Sequence, residues 1–139
     1  MIVLDTNVLS ELMRREADQN LLRWIGGLDV SEICTTTITQ AEILTGIAVL
    51  PDGRRRSSFQ AAAEGIFSKF QSGHIFAFDS AAAEKFAKVV AQRRSSGRPV
   101  QTFDAQIAAI CKSRGAKLAT RNTRDFEDCG IELINPWTG

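Results

Sequence analysis

Four carboxylates stand where an apolar run breaks off or a helix begins. Asp5 follows Ile2-Val3-Leu4; Glu42 stands three residues after Thr39 and opens the apolar stretch 43–50. Asp104 lies in the first turn of a helical pattern that starts at Thr102, and Asp125 follows the short apolar stretch 117–120. Each has a plain structural account. Asp5 caps a helix starting near Thr6, Thr39 and Glu42 have the spacing of a capping box, and Asn122 and Asp125 resemble one. Asp104 suits the positive end of a helix dipole. Gathered at one place, however, such carboxylates repel one another and raise each other's pKa unless a cation neutralises them. An oxygen-only set suits Mg2+ or Mn2+. Such an ion polarises a phosphoryl oxygen, supplies hydroxide at neutral pH and steadies the leaving oxygen. That is the chemistry of phosphodiester hydrolysis, and it requires no histidine.

The elements that must bring them together follow from periodicity and punctuation. Residues 2–4 read as a buried strand followed by a helix from about Thr6, with a second helix over 17–28 carrying Leu21, Leu22 and Ile25 on one face. Residues 33–37 are β-branched and strand-like, and the helix behind Thr39 ends at Pro51. Arg54-Arg55-Arg56 leads into a helix whose Phe59, Ala63, Ile66, Phe67 and Phe70 recur at helical spacing. A strand over 75–78, a helix over 81–94 capped by Asp79 or Ser80, and a helix from Thr102 to Arg114 come next. Then follow a strand over 117–120, one helical turn over 123–127 and a last strand over 131–134. Short apolar strands alternating with helices predict an α/β sandwich on a mainly parallel sheet, formed as one domain over 1–139. In such sheets ligands bind beyond the carboxyl ends of the strands. Asp5, Glu42 and Asp125 fall at that edge; Asp104 joins them by compactness.

Composition excludes other chemistry. With 17 basic and 16 acidic residues the charge is too balanced for a protein that coats nucleic acid indiscriminately. Cys34, Cys111 and Cys129 are odd in number, widely spaced and without a neighbouring histidine, so neither a disulfide framework nor zinc is expected. The single histidine, His74, reads as a surface or strand-edge residue. Neither a signal peptide nor a membrane-spanning run is present, which predicts a cytoplasmic protein without membrane contact.

Beyond the acids, five stretches carry a resemblance: Met1-Ile2-Val3-Leu4-Asp5-Thr6-Asn7-Val8, Thr37-Ile38-Thr39-Gln40-Ala41-Glu42-Ile43, Asp104-Ala105-Gln106-Ile107-Ala108-Ala109, residues 118–126 (LATRNTRDF) and Leu133-Ile134-Asn135-Pro136-Trp137. Their order and spacing resemble PIN-domain ribonucleases, specifically VapC and FitB toxins of toxin–antitoxin pairs. The resemblance implies a PIN-like three-layer α/β/α sandwich and a Mg2+- or Mn2+-dependent endoribonuclease. It also implies an antitoxin partner that blocks the site, and a homodimer that extends to a larger complex with the antitoxin. Carried over by position, Asp5 and Asp104 are the principal metal ligands, Glu42 completes the set or binds through water, and Thr6 orients Asp5 or a water. Many relatives have an aspartate where Asn122 stands, so the fourth site residue is left open between Asn122 and Asp125.

Among the basic residues, Arg121 and Arg124 flank this site and are candidates for substrate or antitoxin contact. Arg54, Arg55 and Arg56, and Arg93, Arg94 and Arg98, read first as solvated residues and second as phosphate contacts. Trp24 and Trp137 read as core or dimer packing, and the apolar helices over 43–50 and 59–70 as surplus to a small core. A haloacid-dehalogenase phosphatase would want an acid at position 7, which is Asn7; a receiver domain would want an acid pair and a late lysine, which are missing. The alternative from another class is a silent PIN-fold module that binds RNA or protein without cutting.

Overall fold

The computed structural model describes residues 1–138. Strand β1 (Ile2–Leu4) runs into helix α1 (Thr6–Leu12), and α2 (Gln19–Gly26) precedes β2 (Ile33–Thr36) and α3 (Thr37–Ala48). Helix α4 (Arg54–Phe67), β3 (Ile75–Phe76), α5 (Ser80–Ser95), α6 (Thr102–Arg114), β4 (Lys117–Ala119) and β5 (Leu133–Ile134) complete the chain. A 3-10 turn, Thr123–Phe126, links β4 to β5. The sheet has the order β3-β2-β1-β4-β5, and every pairing is parallel.

Parallel strands covered on both faces must be apolar on both, and β1 and β4 obey. Val3 and Leu118 enter one core with Val89 of α5 and Ile107, Ala108 and Ile110 of α6. Their neighbours Leu4 and Ala119 enter a second core with Val8, Leu9, Leu21, Ile43 and Ala63 of α1 to α4. Successive side chains of a strand point to opposite faces, so two cores on one sheet give the three-layer α/β/α sandwich. All three cysteines are free and buried. The Nδ1 of His74 lies 3.2 Å from the Ile33 carbonyl oxygen, beside β2.

Several boundaries differ from the sequence expectation: the strands expected over 75–78 and 131–134 are Ile75–Phe76 and Leu133–Ile134, and the helix expected over 17–28 is Gln19–Gly26. Helix α3 begins at Thr37 because Thr36 is its N-cap, with the Thr36 hydroxyl accepting the Thr39 N–H at 3.0 Å. Thr39 and Glu42 are therefore inside the helix and form no capping box. Asn122 precedes its turn without a side-chain cap, so the second expected box is absent as well. Asp79 does cap α5, accepting the Ala82 N–H at 3.0 Å. Gly115, at φ 63°, ends α6 in the left-handed conformation that glycine adopts without steric cost.

The phenylalanines on and just after α4 are not surplus: Phe59, Phe67 and Phe70 pack against the second core. The apolar side chains left in solvent lie elsewhere, notably Leu44 within α3 and Val49 just beyond its end.

Candidate active site

The strand order reverses direction between β1 and β4, since the chain moves from β1 outward to β2 on one side and later returns to β4 on the other. Helix α1 leaves β1 toward the second core and the Thr123–Phe126 turn leaves β4 toward the first, where Phe126 is buried, so the loops beyond the two strands part to leave a crevice. Asp5 stands at the end of β1 and Thr120-Arg121-Asn122 at the end of β4. A pocket of about 460 Å3 there is lined by Asp5, Glu42, Asp104, Arg121, Asn122 and Trp137, among others. The fold thus draws Asp5 at the end of β1, Glu42 of α3 and Asp104 of α6 into one cavity, together with Glu11 of α1, which is paired with Arg14 at 3.1 Å.

A small hydrogen-bond network holds the first of them. Asp5 is buried and caps α1, its Oδ1 accepting the Thr6 N–H at 2.8 Å. Its Oδ2 accepts the Thr120 hydroxyl at 2.8 Å and the Asn7 amide at 3.3 Å. The Thr120 oxygen in turn accepts the Asn7 amide at 3.2 Å and the Asn122 N–H at 3.1 Å. One donor and two acceptor positions use everything a hydroxyl offers.

Glu42 is held from another side. The Thr6 hydroxyl donates to Glu42 Oε1 at 2.9 Å and lies 3.0 Å from the buried Thr39 hydroxyl, which must then donate to it. Thr6 was expected to orient Asp5 or a water; its backbone serves Asp5, but its side chain orients Glu42.

Electrostatics follow from the crowding. Burial pushes the Asp5 carboxyl above the ordinary aspartate range, with Glu42 and Asp125 adding to the rise while the bonds from Thr120 and Thr6 oppose it. Asp104 is pushed up to about 6, by burial first and then by Asp5, Asp125 and Glu42, although Arg93 pulls it down. The rise occurs despite a first-turn position on α6 that favours an anion.

A raised carboxyl pKa means that the folded chain holds the proton over a pH range where the unfolded chain has released it. Stability is therefore lost as pH rises from the unfolded value of 3.8 through about 6. Asp104→Asn removes this loss. After discounting for solvent around a half-buried group, the gain at pH 8 is about 1 kcal/mol, or roughly 3 °C in Tm, and it vanishes near pH 4. Thermal unfolding at both pH values checks this; no gain at pH 8 would contradict the electrostatic account.

The remaining candidates divide. Asn122 lines the pocket, whereas Asp125 is exposed on the following turn and contributes charge to it from outside the lining. Arg121 lines the pocket; Arg124, exposed on the same turn, does not. Arg93 was read as a solvated residue or a phosphate contact, yet it is buried, and its guanidinium donates to the backbone carbonyls of Arg98, Asp125 and Glu127. Arg98 pairs with Glu127 and Asp128. Both residues brace the Thr123–Phe126 turn. Arg94 stays exposed at the end of α5.

Sequence reasoning missed Asn7, Thr39 and Thr120 as supports of the carboxylates. Their only signal was position: each is a short polar residue close to one of the strand ends that bear the acids. Trp137, expected in a core or dimer contact, packs against the second core and also lines the pocket.

Comparison with known proteins agrees with this geometry. The family profile described as PIN domain matches residues 2–131. VapC ribonuclease Y4jK of Sinorhizobium fredii is 40% identical over 137 residues, covering 99% of this chain and 98% of that protein. Toxin FitB of Neisseria gonorrhoeae is 30% identical over 137 residues, covering 99% of each. The crystal structure of FitAcB from Neisseria gonorrhoeae superposes with a TM-score of 0.91 at 31% identity, covering 99% of both chains. By sequence, by fold and by length of match, this chain belongs to the PIN-domain family.

Proposed function

We propose that this chain is a Mg2+- or Mn2+-dependent endoribonuclease toxin, held inactive by a cognate antitoxin. The observation that carries the reading is the convergence of Asp5, Glu42 and Asp104, from three separate elements, on one pocket at the strand-order reversal. Similarity to proteins named VapC ribonuclease and toxin FitB supports it.

The donor set fits a hard divalent cation: carboxylate oxygens that raise one another's pKa, with Asn122 beside them. Mg2+ is bound through one or two carboxylates and keeps several waters. Asp5 and Asp104 would hold it, with Glu42 directly or through water. Once bound, it would supply Lewis-acid polarisation of the phosphate and a hydroxide at neutral pH.

The chain's own residues provide the rest. Thr120 and Asn7 fix the Asp5 carboxylate, while Thr6 and Thr39 fix Glu42, so the charges are placed before substrate arrives. Asn122 offers an uncharged amide to a water or phosphate, and Arg121 a cation at the pocket edge.

A larger groove of about 880 Å3 adjoins the pocket. Arg14 borders both, and Arg15, Arg54 and Arg55 line the groove against a single acid, Glu16. It gives a polyanion a path to an acidic site that would otherwise repel it. Arg56 instead pairs with Asp52. The double substitution Arg54→Gln/Arg55→Gln is expected to weaken RNA binding uniformly across sequences and to lower the salt slope by about 1.4. An unchanged slope would remove this path from the account.

The proposal includes a homodimer, supported by Leu44 and Val49, which are 44% and 76% exposed. A one-chain mass at micromolar concentration would contradict that part.

The partner-free protein, incubated with structured and single-stranded RNAs in Mg2+, Mn2+ or EDTA, tests the activity. Cleavage that needs the metal is expected. RNA binding without cleavage in either metal would favour the silent module, the reading that Asn122 at the pocket supports.

A further inference from the structure

Trp137 reaches the pocket on the C-terminal tail, beyond β5. The tail is tied down at this residue. Its N–H donates to Asn135 Oδ1 at 3.0 Å, and its carbonyl accepts the Asn20 side-chain amide, on α2, at 3.0 Å. The indole packs partly on the second core and borders the same cavity as Asp5, Glu42 and Asp104.

The Arg121 guanidinium lies over this ring, 5.2 Å from its centroid. Arg121 is exposed and has no ion-pair partner among the described residues, and its backbone N–H is anchored on Asn7 Oδ1 at 3.1 Å. A guanidinium over an indole face is held by cation–π attraction and stacking, which lowers the entropy of an otherwise free side chain. The result is a cationic plane backed by an aromatic ring, beside the carboxylates of the pocket.

Packing alone does not require a cation on the ring at the mouth of an acidic pocket. Stacking occupies one face of the guanidinium and leaves its in-plane N–H donors free for a phosphate, so what the stack adds is the π surface itself. A planar π surface matches the face of a nucleobase. Unpaired bases stack on aromatic rings and on arginine planes, with little dependence on which base it is.

We propose that Arg121 and Trp137 form the stacking platform for the nucleobase beside the phosphate that is cut, an assignment that rests on the ribonuclease reading above. The base lies on the guanidinium face turned away from the indole or on the free indole edge beside it, and so fixes the nucleotide relative to Asp5 and Asp104. The platform selects single-stranded or flipped-out nucleotides, since a base inside a duplex has no free face.

The test uses the full chain with Asp5→Asn to prevent cutting and Trp24→Phe to leave Trp137 as the sole tryptophan. A mixed-sequence single-stranded oligoribonucleotide is expected to quench the indole fluorescence, and an abasic ribose-phosphate oligomer of equal length is not. Read by the anisotropy of labelled oligomers, Trp137→Ala should weaken binding of the oligoribonucleotide on the order of tenfold, leave the abasic oligomer unaffected, and be largely rescued by Trp137→Phe. A merely structural tryptophan would affect both ligands alike. Arg121→Gln, a surface change that does not depend on the tail's packing, should show the same loss for the base-bearing oligomer in excess of its loss for the abasic one. Equal quenching by both oligomers, or parent-like binding in Trp137→Ala and Arg121→Gln, would overturn the platform. If the chain with Asp5 intact neither binds nor cuts RNA, the ribonuclease reading falls with it. If it cuts RNA and both variants cut as fast at limiting substrate, the platform alone falls.

Discussion

Asp5→Asn is expected to lower RNA cleavage about a thousandfold or more while leaving the fold intact. The loss corresponds to the several kcal/mol of charge stabilisation that a carboxylate-bound cation contributes to phosphoryl chemistry. Asparagine keeps the shape, and its oxygen still accepts the Thr6 N–H. Its amide nitrogen, however, would face the Asn7 amide, a donor held in place because Asn7 Oδ1 accepts the Arg121 N–H. The substitution therefore removes the charge and disturbs the coupling between the ends of β1 and β4. Folding should survive, because burial already disfavours the Asp5 anion. Asp104→Asn should give a comparable loss from a different element. Initial rates on one RNA, with circular dichroism on the same samples, check both. Residual activity above about a tenth of the parent's in either variant would exclude that carboxylate from the chemistry.

Arg93→Met should destabilise the fold by about 3–5 kcal/mol, the largest stability effect of any single change considered for this chain. The side chain is only 5% exposed and makes no ion pair among the described residues. Its three carbonyl partners, on Arg98, Asp125 and Glu127, belong to two separate loops that this one guanidinium ties to α5. Methionine fills much of the space and leaves these acceptors unpaired, each costing about 1–3 kcal/mol where water cannot replace the lost donor. Because the Thr123–Phe126 turn follows Asn122 directly, cleavage should fall as well, though by less than in Asp5→Asn. Urea unfolding decides the matter. A loss below about 1 kcal/mol would show that solvent reaches the carbonyls and that Arg93 is no brace.

Arg93 also marks the limit of what the residues alone could tell. Arg93 and Arg94 are chemically identical neighbours, and composition gives no reason to separate them. Helical phase does: Val89 is buried, and Arg93 lies one turn further on the same face of α5. What it would bind there depended on a turn more than thirty residues away. The same distinction runs through the site. Strand β1 and helix α6 were legible to the residue, because apolar runs bounded by Asp5 and Gly115 leave little freedom, and the carboxylates could be named because they stand at those boundaries. The Thr120–Asp5 hydrogen bond spans 115 positions and has no local trace. Helix α3 started earlier than expected because Thr36 as well as Thr39 could cap it, and the Thr36 hydroxyl accepts the Thr39 N–H. Trp137 was ambiguous for a related reason, since an indole is large enough to serve a core and line a pocket at once.

The central claim is that Asp5, Glu42 and Asp104 act as one divalent-cation site. Calorimetric titration of the partner-free protein with Mn2+ at pH 7.5 tests it most directly, run beside Asp104→Asn and without RNA, so that no substrate can mask the result. The account predicts saturable binding in the parent and its loss in the variant, with little proton release because a carboxyl raised to about 6 is already ionised at this pH. Binding of equal strength in the parent and in Asp104→Asn, or no binding to either, would contradict it.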